Sequence, residues 1–231
     1  MRFCIIPARG GSKRILRKNI RDFCGKPMIA WSIEAAIKSK LFDRVIVSTD
    51  DDEIALVAKR YGSEVPFKRP THLADDYTST TAVIAHAIEW LNCHGEAADK
   101  VCCLYATAPF VKANDLQKGL DILESSGAEY AFSVTNYAFP IQRSIRITND
   151  QRVEMFQPEH FNTRSQDLEE TWHDAGQFYW GNASAWLEAR TMFSSNAAPV
   201  ILPRHRVQDI DTEEDWVYAE LMFSAFGEMF Q

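Results

Sequence analysis

Phe3-Cys4-Ile5-Ile6-Pro7-Ala8-Arg9-Gly10-Gly11-Ser12-Lys13-Arg14-Ile15-Leu16-Arg17-Lys18-Asn19 changes character in the middle. Its first four residues read as a buried strand, and the rest is a loop rich in glycine and cations that runs to a helical pattern starting at about Pro27. Gly10 and Gly11 admit backbone angles closed to other residues and let amide N–H groups approach an anion. Arg9, Lys13, Arg14, Arg17 and Lys18 add five positive charges. The same composition also describes a solvated surface turn. Two common nucleotide signatures are excluded, because neither Gly-x-x-x-x-Gly-Lys-Ser/Thr nor Gly-x-Gly-x-x-Gly occurs here.

Working outward, strands and helices alternate. Pro27 to Ile37 has apolar residues at helical spacing, and Arg44 to Thr49 is a short apolar strand. Asp50-Asp51-Asp52-Glu53 opens a helix through Tyr61, so the acid run reads as N-terminal caps in preference to a metal cluster. Glu64 to Phe67 reads as a brief strand, and Lys68 to Tyr77 as a polar loop before a helix from Ser79 to His94. A strand at Val101 to Tyr105, a helix from Asn114 to Ser125 and a strand at Tyr130 to Val134 complete the alternation. Apolar strands between helices predict an α/β protein with an open, mostly parallel sheet. Ligands of such sheets sit beyond the carboxyl ends of the strands, where the Arg9 loop, Asp50 and the Tyr105 loop are expected to converge.

After Asn136 the pattern changes. Ile141 to Ile147 and Arg152 to Phe156 read as two strands around the turn Asn149-Asp150, followed by a polar segment from Pro158 to Trp172. The expectation is one domain over residues 1–231 with an arm inserted at about 137–172. That arm is either a dimer contact or a self-packed hairpin. The chain returns through Gln177-Phe178-Tyr179-Trp180, a helix near Ala183 to Ala189, and a predicted last strand at Val207 to Asp211. Thr212 and Asp215 form a capping-box-like start for a helix from Glu213 to Phe226.

Composition bounds the function. A net charge of −7 on 231 residues argues against a general nucleic-acid binder, and cations gathered in one loop of an acidic chain point to a small anionic ligand. The five cysteines include no Cys-x-x-Cys and fall mostly in apolar runs, which reads as buried thiols in a reducing compartment. No signal peptide precedes the first strand and no apolar run approaches bilayer length, so no membrane partner and a cytoplasmic location are expected.

Asp209-Ile210-Asp211 places two carboxylates on one side of a strand with Ile210 turned inward. Hard oxygen ligands with open positions suit Mg²⁺, and helix capping by Asp211 beside a solvated Asp209 is the alternative. Arg164 and His173 lie in a polar stretch before the aromatic return. Arg164 is a candidate to grip a substrate carboxylate through two parallel hydrogen bonds, or else a surface residue.

Six motifs then resemble a known family in order along nearly the whole chain. They are Ile-Pro-Ala-Arg-Gly-Gly-Ser-Lys-Arg-Ile (6–15), Val-Ser-Thr-Asp-Asp (47–51), Tyr-Ala-Thr-Ala-Pro-Phe (105–110), Asn-Thr-Arg-Ser-Gln-Asp-Leu (162–168), His-Asp-Ala-Gly-Gln-Phe-Tyr-Trp (173–180) and Gln-Asp-Ile-Asp-Thr-Glu-Glu-Asp-Trp (208–216). The set resembles the cytidylyltransferases that activate nonulosonic, sialic-acid-like sugars. The run at 173–180 and Tyr105, where sialic-acid enzymes carry Gln, look most like the branch acting on pseudaminic acid. Ala106 departs from the usual Pro, and His173 from the Arg of the sialic-acid branch.

The resemblance implies a three-layer, Rossmann-like nucleotidyltransferase fold with a small hairpin arm that dimerises. It also implies transfer of CMP from CTP to the anomeric hydroxyl of an acidic nine-carbon sugar. Arg9, Ser12 and Lys18 would hold the triphosphate with the Gly10 turn, and Asn19 the ribose. Ala8, Arg69 and Thr80 would meet the cytosine, while Asp209 and Asp211 ligate Mg²⁺. Arg164, His173, Tyr105, Gln177, Phe178 and Tyr179 would line the sugar side. CMP-N-acetylneuraminate and CMP-legionaminate synthetases are the alternatives within the class. A dinucleotide oxidoreductase, disfavoured by the missing glycine fingerprint, and a non-catalytic binder are those outside it.

Overall fold

A computed structural model describes residues 1–226 of the chain. The elements in order are β1 (Arg2–Pro7), β2 (Asp22–Phe23), β3 (Lys26–Pro27), α1 (Met28–Ser39), β4 (Arg44–Ser48), α2 (Asp52–Arg60), α3 (Thr80–Cys93), β5 (Lys100–Leu104), α4 (Ala113–Ser126), β6 (Tyr130–Asn136), β7 (Ile145–Ile147), β8 (Val153–Met155), β9 (Trp172–Asn182), α5 (Ala183–Leu187), β10 (Ala197–Ile201) and α6 (Glu213–Phe226). Six strands form one sheet in the order β10-β6-β9-β5-β1-β4. Strand β1 pairs parallel with β4 and β5, and β10 parallel with β6, whereas β9 runs antiparallel to both its neighbours. The mixed α/β, mostly parallel architecture expected from the alternation is therefore the one observed.

Alternation along the strands builds three layers. Cys4 and Ile6 of β1 join Cys102, Leu104 and Trp180 under α1, α2 and α4, while Phe3 and Ile5 join Val101, Cys103 and Tyr179 under α3 and α5. Both faces are dry, which is why the strands read as continuous apolar runs. Two glycines let large aromatic groups close on the sheet. A Cβ at Gly119 would lie 2.7 Å from Trp180 Cδ1, and one at Gly181 would lie 2.5 Å from Trp186 Nε1 and 2.7 Å from Tyr130 Cδ1. Overpacking of this kind costs about 1–3 kcal/mol. Gly181→Ala is accordingly expected to lower the thermal midpoint by roughly 3–10 °C in a calorimetric scan, and an unchanged midpoint would contradict this packing.

Three expectations need correction. Val207 to Asp211 is not a strand; a 3₁₀ turn at Arg204–Arg206 leads into irregular chain there. The last strand is instead Ala197–Ile201 at the sheet edge, where Pro199 is tolerated. Glu64 makes one isolated bridge to Ile46, so Glu64 to Phe67 is not a strand. The arm's strands are also shorter than expected, with Ile141–Arg143 forming a 3₁₀ turn before the separate two-stranded hairpin β7–β8. Helix α6 starts as anticipated, since Asp215 N–H donates to Thr212 Oγ1 at 3.2 Å and Thr212 N–H to Asp215 Oδ2 at 2.8 Å.

No helix among the described residues is long and apolar enough to cross a membrane.

Candidate active site

The loop after β1 is tied to the start of α2. Ala8 N–H donates to Ser48 O at 3.0 Å, and Gly10 N–H donates to Asp50 Oδ1 at 3.0 Å. A Cβ on Gly10 would lie 2.6 Å from Asp51 Oδ2. Gly10 is thus required for close approach and not for unusual backbone angles, which neither it nor Gly11 adopts. The acid run divides its work: Asp51 alone caps α2, accepting from Glu53 and Ile54 N–H, while Asp50 holds Gly10. Arg17 has φ 54° and sends its guanidinium onto Asp51 at 2.6 and 3.1 Å and onto Glu53. Those hydrogen bonds hold the Asp51 carboxyl below the usual range. Arg17 therefore braces the loop, leaving Arg9, Lys13, Arg14 and Lys18 to line the cavity beside it.

The cationic loop and the twin acids meet because their apolar residues share one small core. Ile15, flanked by Arg14 and Leu16, and Ile210, flanked by Asp209 and Asp211, are both buried with Phe23, Phe110, Trp216 and Phe223. Burying the two isoleucines together leaves their polar neighbours facing each other. Arg14 Nη1 lies 2.8 Å from Asp211 Oδ2, and Lys18 Nζ lies 2.5 Å from Ile210 O and 3.3 Å from Asp211 Oδ1.

Over this junction opens a cavity of 560 Å³ lined by Arg9, Ser12, Lys18, Asn19, Arg69, Thr80 and Tyr105. Asn19 Nδ2 donates to Arg9 O at 3.0 Å and so fixes the loop that carries Arg9. Arg69 is buried, donates to Ser48 Oγ at 3.1 Å and to Ser48 O, and its pKa is lowered to about 10 by that burial. Thr80 Oγ1 and Tyr105 OH share a hydrogen bond of 3.1 Å, and burial pushes Tyr105 up to about 12.

Tyr105 also lines a second cavity of 440 Å³ with His173, Asp174, Tyr179 and Asp209. Partial burial first, and the neighbouring Asp211 second, raise the Asp209 carboxyl above its ordinary value. Two neighbouring carboxylates beside a cleft are a fitting donor set for a hard divalent cation that completes its shell with water and substrate oxygens. Among the described residues no cluster of three or more such ligands occurs, so a cation here depends on that outside help.

Some candidates lie elsewhere. Arg164 sits in the arm, 72% exposed and paired with Asp167 at 2.6 Å, and lines neither cavity. Phe178 and Ala8 are buried in the sheet's core and present no side chain to either cavity. Gln177 is buried too, its Nε2 donating to Arg206 O at 2.5 Å. Alternation along β9 turns Phe178 to the face opposite Gln177 and Tyr179, and Gln177 is held against Arg206 O, so of the three only Tyr179 lines the cleft.

The reading of the residues missed Asp76. Arg9 Nη1 donates to Asp76 Oδ1 at 2.6 Å and to Asp75 O at 2.8 Å, and Lys13 Nζ lies 2.5 Å from Asp76 Oδ2. Hydrogen bonds from Lys13 and then Arg9 hold the Asp76 carboxyl below its usual range. A polyanion entering the cavity must take these cations from Asp76. Asp76→Asn is therefore expected to tighten binding of inorganic triphosphate by roughly two- to five-fold, in keeping with an exposed ion pair. Titration calorimetry reads this directly, and weaker binding would show that Asp76 itself serves the bound anion. The signal was in the sequence: Asp75-Asp76 is the acid pair of the polar loop at 68–77, a counter-charge waiting for a partner.

Residues 3–214 match the cytidylyltransferase family. The chain is 46% identical to the pseudaminic acid cytidylyltransferase of Campylobacter jejuni subsp. jejuni serotype O:23/36 (strain 81-176), over 95% of each chain. It is 31% identical to the CMP-N,N'-diacetyllegionaminic acid synthase of Legionella pneumophila subsp. pneumophila (strain Philadelphia 1), covering 94% of this chain and 93% of that one. A solved CMP:2-keto-3-deoxy-manno-octonic acid synthetase in complex with CTP shares the fold, with a TM-score of 0.70 at 18% identity, covering 97% of this chain and 98% of that one. With its ordered motifs, its layered sheet and this match over nearly its full length, the chain belongs to the cytidylyltransferase family.

Proposed function

We propose that this cytoplasmic enzyme transfers CMP from CTP to the anomeric hydroxyl of an acidic nine-carbon sugar, pseudaminic acid before its stereoisomers, and releases pyrophosphate. The observation that carries the reading is that Arg14 and Lys18, which line one cavity, pair with Asp211, whose neighbour Asp209 lines a second, and that the two cavities share Tyr105. One cavity offers cations to a polyphosphate, and the other is where a sugar would be presented to it. The high identity to the C. jejuni enzyme supports the sugar. N-acetylneuraminate and legionaminate remain the competing substrates, since a relative named for the latter also matches along nearly the whole chain.

In the reaction the hydroxyl oxygen bonds to the α-phosphorus, the bond from that phosphorus to the β-bridging oxygen breaks, and the hydroxyl proton is released. Negative charge grows on the departing pyrophosphate, so the protein's work is placement and neutralisation. Arg9, Ser12 and Lys18 would hold the triphosphate, Asn19 the ribose, and Arg69 and Thr80 the cytosine end. Ala8 can serve the base only through its backbone. Lys18 is well placed to stabilise the leaving group because its ammonium is already oriented by Ile210 O. Asp209 and Asp211 would hold Mg²⁺, which when bound neutralises phosphate charge. The test is pyrophosphate release that requires CTP and a nonulosonic acid together, with no thermal shift on adding NAD. No release from CTP with any nonulosonic acid, or a shift with NAD, would reject the proposal.

The arm supplies the case for a homodimer. Phe139, Ile147, Val153, Phe156 and Phe161 are each more than 60% exposed, an apolar load suited to burial against a second copy. Arg164, remote from the cleft of its own chain, would then reach the sugar of the partner. Mixing two inactive variants, Arg164→Ala and Asp211→Asn, is expected to restore about a quarter of wild-type activity, as statistical pairing of two-site dimers requires. No recovery in the mixture would argue against a site shared between copies.

A further inference from the structure

Resting on the proposed reaction, we infer that Asp174 is a specificity residue: its carboxylate accepts a hydrogen bond from a donor on the sugar, an N–H or O–H, and steers the sugar's own carboxylate away. The placement comes from an irregularity in β9. Its ladder with β6 runs regularly through Phe132↔Tyr179 and resumes at Val134↔Asp174, so five positions of β9 are taken up by two of β6. The excess forms a bulge around Gly176, whose φ of +62° suits glycine. Buried Ser133 closes the gap, with its Oγ accepting from Gln177 N–H at 3.3 Å and Phe178 N–H at 3.2 Å. Gln177 O accepts from Tyr105 N–H at 2.8 Å on the other side. Bulges next to active sites re-aim side chains, and this one aims Asp174 into the cleft.

The carboxylate is fixed there at both oxygens. Oδ1 accepts from Gly176 N–H at 2.8 Å and Oδ2 from Tyr179 O–H at 2.6 Å. Each oxygen retains acceptor capacity, and Asp174 lines both the cavity that contains Asp209 and an adjoining one of 350 Å³ that contains Thr80 and Arg190. A third carboxylate in a cleft proposed to take an acidic sugar cannot face that sugar's carboxylate. It can face only hydrogen-bond donors, so it sets which way round the sugar enters. The names of the relatives supply a suitable donor, the amide N–H of an N-acyl group, as in N,N'-diacetyllegionaminic acid.

The test is steady-state kinetics of Asp174→Asn and Asp174→Ser with pseudaminic acid. Loss of a charged acceptor is expected to raise the sugar KM roughly 10- to 100-fold, while the CTP KM changes less than two-fold. Tyr179→Phe, which keeps the carboxylate but removes one of its braces, should raise the sugar KM by less than either. Repeating the wild-type and Asp174→Asn assays with N-acetylneuraminic acid and with the deoxy analogue bearing hydrogen in place of its N-acylamino group distinguishes the two donors. A penalty confined to the N-acyl sugars identifies the amide N–H, and one shared by both sugars identifies a hydroxyl. An unchanged sugar KM in a variant that folds, or equal losses for CTP and sugar, would overturn the inference. Failure of the wild type to release pyrophosphate at all would instead overturn the proposed function.

Discussion

Asp211→Asn and Asp209→Asn should each lower kcat/KM by about 10³-fold or more, the scale of losing a cation that supplies several kcal/mol of charge stabilisation. The fold should survive, because the segment does not depend on either carboxylate. Ile210 is buried among Ile15, Phe23 and Trp216, and the Thr212–Asp215 capping box fixes the start of α6. Asp211 also pairs with Arg14, which is 68% exposed to solvent, and with Lys18, which keeps its bond to Ile210 O. Circular dichroism should give a midpoint within a few degrees of wild type, alongside turnover measured over a range of Mg²⁺ concentration. Wild-type-like turnover with the same Mg²⁺ dependence in either variant would remove the assignment.

The second large effect is expected at Lys18. Its side chain is 19% exposed, and its ammonium bridges Ile210 O and Asp211 while facing the main cavity. Removing one preoriented donor to developing negative charge costs roughly 10²–10³ in kcat. Lys18→Met, which keeps most of the aliphatic stem, should show that loss. Arg14→Ala should cost less, since Arg14 is 68% exposed and solvent can replace much of its field. The decisive readout is single-turnover chemistry at saturating CTP. A variant impaired only in CTP KM would place Lys18 in ground-state binding and not in stabilisation of the leaving group.

Much of the architecture was legible because burial on both faces writes itself as apolar runs: β1, β4, β5 and β6 were all readable, and so were the helices between them. Capping chemistry located the starts of α2 and α6 for the same local reason. What failed to show was long-range. The edge strand Ala197–Ile201 has a proline at its centre, and its pairing with β6 makes it a strand. The Asp209-Ile210-Asp211 segment satisfies a strand's alternation, yet it is held by contacts 91 and 192 residues away in sequence, through Arg206 on Asp115 and Lys18 on Ile210 O. The part-buried Arg206–Asp115 pair had no local signature. Gly10 was read for its backbone freedom, whereas its need comes from Asp51, a neighbour only in space. In the run His173 to Trp180 only Gly176 hinted at a bulge, and the register shift itself is a property of two strands together. Arg9, Ser12, Lys18, Asn19, Arg69, Thr80 and Tyr105, named from well-separated stretches of chain, nonetheless all line one cavity.

A coupled pyrophosphate assay over a panel of nonulosonic acids, with CTP as nucleotide, tests the central claim most directly. The account predicts release that depends on both substrates and is fastest with pseudaminic acid. Preference for N-acetylneuraminate would contradict the assigned sugar, and no release with any acid on the panel would contradict the reaction itself.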